Sequence, residues 1–259
     1  MKTSDLDYAL PEELIAQVPI EPRDESRLLV LHRETGTLEH RAFRDIGTYL
    51  KASDTLVANE SRVILARMYA CKESSGGRLE VLLLRKLDDL RWRALIGGAR
   101  TREGSRIRFL NGEEPSALTA DIAETGQRGE RTLLFSEPVE GYLEALGHTP
   151  LPPYIHAPLR DPERYQTIYS HTPGSAAAPT AGLHFTPDLL LSLRDAGTRL
   201  AYVTLHIGLD TFRPITESTV EGHKIHREWC RVDTATVEQI NHSKVMGRSI
   251  IAVGTTSVR

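Results

Sequence analysis

The stretch that decides the fold is DTLVANESRV, residues 54–63, because the character of the chain changes there. Asp54 to Ala58 reads as a buried strand, and the polar loop Asn59-Glu60-Ser61-Arg62 follows it. Before this stretch, helix-like and strand-like segments alternate, which is typical of α/β proteins. From Val63 to about Phe135, short strand-like runs are separated by turn signals and show almost no helical period. This pattern of short strands and turns predicts a small antiparallel barrel or curled sheet.

The α/β pattern returns after a proline-rich connector. Residues 139–146 form a predicted helix that closes the β-rich segment, and Pro150-Leu151-Pro152-Pro153-Tyr154 suits neither a helix nor a central strand. Helices and strands then alternate, with predicted elements within 186–195, 199–205, 232–247 and 249–253. The sequence therefore predicts the α/β class: a discontinuous mixed α/β domain of residues 1–62 and 150–259, with an inserted small antiparallel β-barrel domain of residues 63–149.

Composition narrows the class of protein. The chain has 259 residues, of which 40% are hydrophobic and 26% charged, as expected for one large or two smaller globular domains. No uninterrupted apolar run exceeds four residues, so we expect no spanning helix and no membrane partner. A formal charge of −3 excludes a uniformly basic coat, so a polyanion must be met by a local patch. Cys71 and Cys230 make no disulfide scaffold and no export signal is evident, which favours a reduced cytoplasmic protein.

Three polar loops follow predicted strands, and ligands of open α/β sheets bind beyond the carboxyl ends of strands. The first is residues 59–62. In the second, His206 ends a strand and Asp210 follows four residues later, so an imidazole and a carboxylate could share a cleft for proton transfer. In the third, Gly254 to Ser257, a glycine and three hydroxyls could hold an anion, although the lysine of a P-loop is absent. Each loop could equally be an ordinary capped turn.

Two further segments are candidates for a site. Residues 176–185 place small residues ahead of a His-Phe pair, which suits either a close ligand or tight packing. In residues 223–230, a helix would put His223 and His226 on one face, whereas a strand would align His226, Glu228 and Cys230. Zinc must be considered, but a structural site needs four ligands and a Cys-x-x-Cys pair is absent. We predict no metal, and favour acid/base or hydrogen-bonding histidines.

The predicted barrel is rich in arginine. Six arginines occur within eighteen residues against one acid, Glu103. Arginines at alternate strand positions share a face and could contact phosphates, whereas the alternative is a solvated barrel surface. The candidates for nucleic-acid binding are Arg91, Arg93, Arg100, Arg102, Arg106 and Arg108.

Several motifs occur together in the order typical of one family. They are Asn59-x-Ser61-Arg62-Val63, LPPYI at 151–155, YQTIY at 165–169, PGSAAAPTAGLHF at 173–185, TLHIG at 204–208, His223-x-x-His226 and IAVGTTSVR at 251–259. The set closely resembles the S-adenosylmethionine:tRNA ribosyltransferase-isomerases, from Leu10 to the last residue. The family's architecture, an α/β domain with an inserted β-barrel, agrees with the pattern above.

The resemblance implies an enzyme of queuosine biosynthesis. Members transfer the ribosyl part of S-adenosylmethionine to 7-aminomethyl-7-deazaguanine (preQ1) at the wobble position of certain tRNAs. The reaction forms epoxyqueuosine and releases adenine and methionine. The expected partners are therefore preQ1-containing tRNA and S-adenosylmethionine as co-substrate, with no prosthetic group, and we expect a monomer.

This chemistry suggests roles for the residues of the motifs. The candidates for proton transfer are His206, His223, His226 and Glu228. The candidates for substrate binding are Asn59, Arg62, Thr180, Gly182, His184, Gly208, Asp210, Gly254, Thr255, Thr256 and Ser257. Two positions depart from the family pattern. Asp210 stands in place of the second glycine of His-x-Gly-x-Gly-Thr-Phe, and Ser61 replaces a threonine while keeping its hydroxyl.

Two other functions are weaker interpretations. A non-catalytic nucleic-acid-binding module would have no need for the polar loops outside the barrel. An S-adenosylmethionine-dependent methyltransferase would be expected to carry Gly-x-Gly-x-x-Gly after a strand, and the chain has none. Family members continue past the motif that ends at Arg259. We therefore expect an α/β domain without its C-terminal part, an exposed apolar sheet face, and weak or no activity from the 259 residues alone.

Overall fold

The computed structural model describes residues 1–98, 100–126, 129–208, 215, 217–223, 225 and 227–259. The strands are β1 Arg27–His32, β2 Thr37–Ala42, β3 Thr55–Asn59, β4 Ser61–Val63, β5 Arg67–Lys72, β6 Arg78–Lys86, β7 Arg91–Gly98, β8 Arg106–Asn111, β9 Glu114–Thr125, β10 Glu130–Phe135, β11 Gly147–His148, β12 Thr172–Ser175, β13 Arg199–His206, β14 Trp229–Arg231 and β15 Ile250–Val253. The α-helices are α1 Leu143–Leu146, α2 Pro187–Asp195, α3 Thr234–Val245 and α4 Thr255–Val258. Short 3-10 helices occupy Thr3–Leu6, Glu12–Leu14, Arg23–Glu25, Phe43–Tyr49, Val139–Tyr142, Pro162–Tyr165, Thr180–His184 and Val220–Gly222.

Six antiparallel strands close into a barrel. They follow the order β5-β6-β7-β10-β9-β8, and the pairing of β8 with β5 completes the ring. Inward-facing apolar side chains fill it, and the rings of Phe109 and Phe135 stack with centroids 5.4 Å apart. The twelve-residue β9 was not predicted. Register shifts where it pairs with β8 and β10 break the alternation of apolar and polar residues that marks a strand.

A four-stranded sheet in the order β14-β13-β3-β15 forms the α/β part. β3, β13 and β15 are parallel, and β14 pairs antiparallel to β13 at the edge. Every residue of β3 is buried, because helices cover both faces of the sheet. Leu56 packs with Leu189 and Leu193 of α2, whereas Thr55 bonds to Ser243 of α3 across the opposite face. The predicted fold class, mixed α/β with a closed antiparallel barrel, is confirmed.

The barrel and the four-stranded sheet meet at a short parallel pair, β4 with β12. β4 leads directly from β3 toward the barrel, and β12 packs against β13 at its carboxyl end, where Ala176 N–H donates to the carbonyl of Ile207. The largest hydrophobic cluster lies wholly between Ala66 and Leu146, and the others lie outside that range. The division into residues 63–149 and residues 1–62 with 150–259 stays a prediction.

One edge of the four-stranded sheet leaves apolar surface exposed. Ile250 on the edge strand β15 is 41% exposed, so apolar surface of the sheet is open there. No helix among the residues described above is long and apolar enough to cross a membrane.

Candidate active site

A cleft of about 650 Å³ lies between the barrel and the carboxyl end of β13. Such a position, beyond the ends of parallel strands, is where open α/β sheets bind ligands. Its lining includes the polar and aromatic residues Arg85, Lys86, Trp92, Arg93, Glu130, Glu140, His206, Arg227, Glu228 and Trp229. The cleft therefore brings together two of the predicted proton-transfer residues, His206 and Glu228, and one predicted arginine, Arg93.

His206 is held at the end of β13 by two neighbours. Its ring stacks on Trp229, its direct partner on β14, with centroids 4.8 Å apart and planes inclined by 18°. Ser61 Oγ lies 3.4 Å from Nδ1. Burial lowers the pKa of His206 below its ordinary value of 6.5, because the charged imidazolium is poorly solvated there. The imidazole is therefore neutral near pH 7 and able to accept a proton.

Gly174 provides the space for this imidazole. A Cβ on Gly174 would lie 2.6 Å from His206 Nε2 and 2.8 Å from Cε1. Its φ of +142° is also one that residues with side chains rarely adopt. The residue belongs to a quoted motif, Pro173-Gly174-Ser175, but the sequence carried no sign that it faces His206. Only the packing of β12 on β13 shows the contact.

Glu228 anchors the backbone beside His206. Its side chain is 4% exposed, its Oε1 accepts a hydrogen bond of 2.9 Å from the N–H of Gly208, and its Oε2 accepts one of 2.8 Å from Arg259. Gly208, a predicted binding residue, also lines the cleft. The carboxylate therefore positions the loop that leaves β13.

The other predicted proton-transfer residues are elsewhere or not described. His223 is exposed, lies outside the lining of the cleft, and contacts Glu217 through Nδ1 at 3.1 Å. His226 and Asp210 lie outside the described residues. Within the described ranges, no three His, Cys, Asp or Glu side chains are grouped as a metal ion would require.

Asn59 is a structural link between strands. It is 0% exposed, and its Nδ2 donates to the carbonyl of Leu205 at 2.8 Å. Its Oδ1 accepts from the N–H of Leu205 at 3.0 Å and from the hydroxyl of Ser61 at 2.9 Å. Asn59 therefore fixes the backbone of β13 at Leu205, the residue next to His206. Arg62 donates to Ser170 and pairs with Glu163, and it does not line the cleft.

The remaining binding candidates form a second group, outside the lining of the cleft. The Thr180–His184 turn meets the loop at Gly254, where an added Cβ would lie 3.2 Å from that of Ala181. Gly182 leaves room for a tyrosine, since a Cβ there would lie 2.1 Å from the hydroxyl of Tyr169. The buried hydroxyls without a hydrogen-bond partner among the described residues include those of Thr167, Tyr169 and Thr256.

Local contacts account for other members of this second group. His184 Nδ1 lies 2.9 Å from Ser26 Oγ and its ring packs on Phe43, while burial lowers the pKa of His184. Ser257 donates to the carbonyl of Val253, and Thr255 is exposed.

Comparison with known proteins identifies the family. The model of the queuosine biosynthesis protein family matches residues 3–259. The chain belongs to this family. It is 48% identical over 260 residues to the S-adenosylmethionine:tRNA ribosyltransferase-isomerase of Dehalococcoides mccartyi, which covers 100% of this chain and 75% of that protein. It is also 48% identical over 262 residues to the enzyme of the same name from Carboxydothermus hydrogenoformans, covering 100% of this chain and 76% of the relative.

A solved structure is also similar in sequence to this queuosine-family chain. The S-adenosylmethionine tRNA ribosyltransferase of Thermotoga maritima is 34% identical, with 99% of this chain and 71% of that one covered and a TM-score of 0.45. The resemblance to the ribosyltransferase-isomerases is therefore confirmed by the family match and the curated relatives, and with it the prediction of an enzyme.

In this member of the family, barrel closure divides the predicted nucleic-acid-binding arginines between two surfaces. β7 carries Arg91 and Arg93, and β8 carries Arg106 and Arg108; these strands are opposite each other in the ring. Arg100 and Arg102 lie with Arg106 around a separate surface depression. Several of the six also pair with acids, in the pairs Arg91–Asp88, Arg93–Glu130, Arg106–Glu73 and Arg108–Glu73.

The sequence analysis did not identify most of the barrel residues that line the cleft. Arg85 and Lys86 end β6, and Trp92 follows on β7, where it pairs with Lys86. These residues belong to no quoted motif. The one available signal was that both tryptophans of the chain lie close to arginine and histidine clusters.

Proposed function

We propose that this chain transfers and isomerises the ribosyl moiety of S-adenosylmethionine onto preQ1 at the wobble position of tRNA, giving epoxyqueuosine-tRNA, adenine and methionine. The observation that carries the proposal is the neutral imidazole of His206 in a cleft between barrel and sheet, in a member of the queuosine biosynthesis family. A cytoplasmic location, a monomeric state and the absence of a prosthetic group belong to the same proposal and rest on the sequence argument.

The reaction needs a base close to the sugar. The sulfonium acidifies the C5′ hydrogen of S-adenosylmethionine, and a neutral imidazole with a lowered pKa can remove it. The proton taken from C5′ can then pass to the departing adenine. The aminomethyl nitrogen of preQ1 forms the new bond to the sugar, and epoxide closure breaks the bond from carbon to sulfur and releases methionine. His206 is our candidate for the base, with His223 and His226 retained as candidates for further proton transfer.

The two groups of residues suit two parts of the substrates. Glu228 and Gly208 shape the cleft beside His206, where the reacting atoms would lie. We assign the methionine carboxylate or ribose hydroxyls to the second group, Thr180 to His184 with Gly254 to Ser257. The unpartnered hydroxyls of Tyr169, Thr167 and Thr256 are able to complete hydrogen bonds with a polar ligand. Burial raises the pKa of Tyr169, so this hydroxyl keeps its proton and remains a donor.

A single-turnover assay tests the proposed function. The chain, in excess over tRNA so that slow turnover is still counted, is incubated with S-adenosylmethionine and tRNA that carries preQ1. We expect adenine release together with modified tRNA, and the matched control, the same tRNA with guanine at the wobble position, should give no modified tRNA because it lacks the attacking amine. Release of S-adenosylhomocysteine in place of adenine would indicate methyl transfer, and absence of both products would refute the proposal.

The pH dependence of adenine release should report His206. Because its pKa is lowered in the folded protein, the rate should rise with pH through an inflection below 6.5 and then reach a plateau. Between the folded pKa and 6.5, the unfolded chain binds more protons at this residue, so the free energy of unfolding should also fall as the pH falls. A rate profile measured from pH 4.5 to 8.5 checks the first expectation. An inflection above pH 7, or one that persists in His206→Gln, would contradict the assignment.

A further inference from the structure

Both tryptophans of the chain line the cleft, and Trp229 keeps much of its ring open to it. The chain contains two tryptophans, Trp92 and Trp229. One face of the Trp229 indole stacks on His206, yet the residue is 51% exposed. An exposed aromatic ring that is held rigidly by a stacked neighbour is a ready platform for a second planar group.

Trp92 supplies a hydrogen-bond donor that has no partner among the described residues. The residue is 6% exposed and packs in the barrel core, where it also lines the cleft. Its indole N–H is buried and bonds to no described residue. A buried donor without a partner is unfavourable, so an acceptor supplied by a ligand in the cleft would relieve the cost.

The charge around the cleft favours an anionic strand. Lys86 pairs with Glu140 and Arg93 pairs with Glu130, so these cations are neutralised by acids of the same cleft. For Arg85 and Arg227, the described part of the chain shows no acidic partner within ion-pair distance. Two arginines at the rim of an aromatic cleft suit the phosphates that flank a nucleobase, since arginine contacts phosphate oxygens through several N–H groups.

The geometry points to a nucleobase site: we propose that the cleft binds one base of an RNA strand, stacked on the open face of Trp229. An acceptor of the base receives the Trp92 N–H, and Arg85 and Arg227 hold the adjacent phosphates. Bases of RNA loops are commonly recognised by stacking on aromatic side chains after leaving the helical stack. The inference rests on the proposed function, and it places the acceptor base beside His206. The adenine of S-adenosylmethionine has the same stacking chemistry, but that co-substrate is a cation and suits two arginines less well.

Fluorescence of single-tryptophan variants tests this site without turnover. Trp92→Phe leaves Trp229 as the one indole, and titration with an anticodon stem-loop that carries preQ1 should quench its emission. The same stem-loop with an abasic wobble nucleotide should bind through its phosphates without that quenching. Trp229→Ala should weaken binding of the preQ1 stem-loop about tenfold or more, whereas Trp229→Phe should keep most of the affinity. Thermal unfolding of each variant separates this effect from a loss of fold.

The outcomes distinguish the base site from the proposed function. Equal quenching by the abasic stem-loop, or quenching by S-adenosylmethionine alone, would overturn the inference, and the second result would assign Trp229 to the adenine of the co-substrate. Because the titration requires no reaction, quenching by the preQ1 stem-loop supports the site even where adenine release fails. Adenine release without any response of Trp229 would refute the site and leave the proposed function standing.

Discussion

Replacing His206 with alanine should lower the single-turnover rate of adenine release by at least about tenfold to a hundredfold and leave the fold intact. The expectation follows from the position of the imidazole: it is half-buried at the carboxyl end of β13, neutral near pH 7, and open to the cleft. Without a positioned base, water must accept the proton, and proton transfer to water is slower by about the tenfold to hundredfold expected here. Among the described residues the side chain makes one polar contact, at 3.4 Å, and it stacks on Trp229, so we expect only a modest loss of stability.

Two further variants make the measurement specific for His206. His206→Gln keeps a polar, partly planar side chain without a base, and it should lose as much activity as the alanine variant. His242→Ala removes an exposed histidine of α3 that does not line the cleft, and it should keep the original rate. A rate within threefold of the unmodified chain for His206→Ala would exclude His206 as the base.

Gly174→Ala should reduce both activity and stability, because the added methyl group competes with the imidazole for the same space. Its Cβ would lie 2.6 Å from His206 Nε2, and the ring cannot move freely because it is stacked on Trp229. The positive φ adds backbone strain of about 1–3 kcal/mol. We expect the rate of adenine release to fall about tenfold or more and the free energy of unfolding to fall by roughly 2–4 kcal/mol.

A double-mutant cycle separates the overlap from the strain. In a His206→Ala background the methyl group meets no imidazole, so Gly174→Ala should destabilise the protein less than it does alone, by about 1 kcal/mol or more. Gly36→Ala shows the cost of a positive φ without any overlap, since Gly36 has a φ of +70° and a Cβ there would meet no atom within 4 Å. Urea unfolding of the unmodified chain, the two single variants and the double variant provides the free energies of unfolding for the cycle. Equal destabilisation in both backgrounds would show that Gly174 and His206 do not share this space.

Local pattern was sufficient where turn residues bound a strand. β3, β13 and β15 were predicted to within a residue or two, because each is a short apolar run that a polar loop follows. Most barrel strands were found in the same way. β9 was missed because bulges in its pairings disturb the alternation that a strand prediction depends on.

Local pattern also predicted part of the candidate site. His206 and Gly208 lie at the end of a predicted strand, Glu228 lies in a segment that the sequence left open between helix and strand, and all three line one cleft. The Thr180–His184 turn and the Gly254 loop contact each other, and neither lines this cleft. Their location depends on contacts between residues distant in the chain, which a local sequence pattern does not reveal. The arginines of β7 and β8 share a pattern in the sequence, yet closure of the barrel turns them to opposite sides.

By itself, the sequence determined the class of fold, the strands that carry polar loops, and membership of the queuosine biosynthesis family, because these depend on local periodicity and on ordered motifs. Only the tertiary structure decided which of those residues share a cleft. Stacking of His206 on Trp229 and the space left by Gly174 join residues far apart in the chain, and Arg85 and Trp92 of the barrel line the same cleft. Such contacts arise from strand pairing and from the packing of barrel against sheet, which no local pattern of side chains encodes.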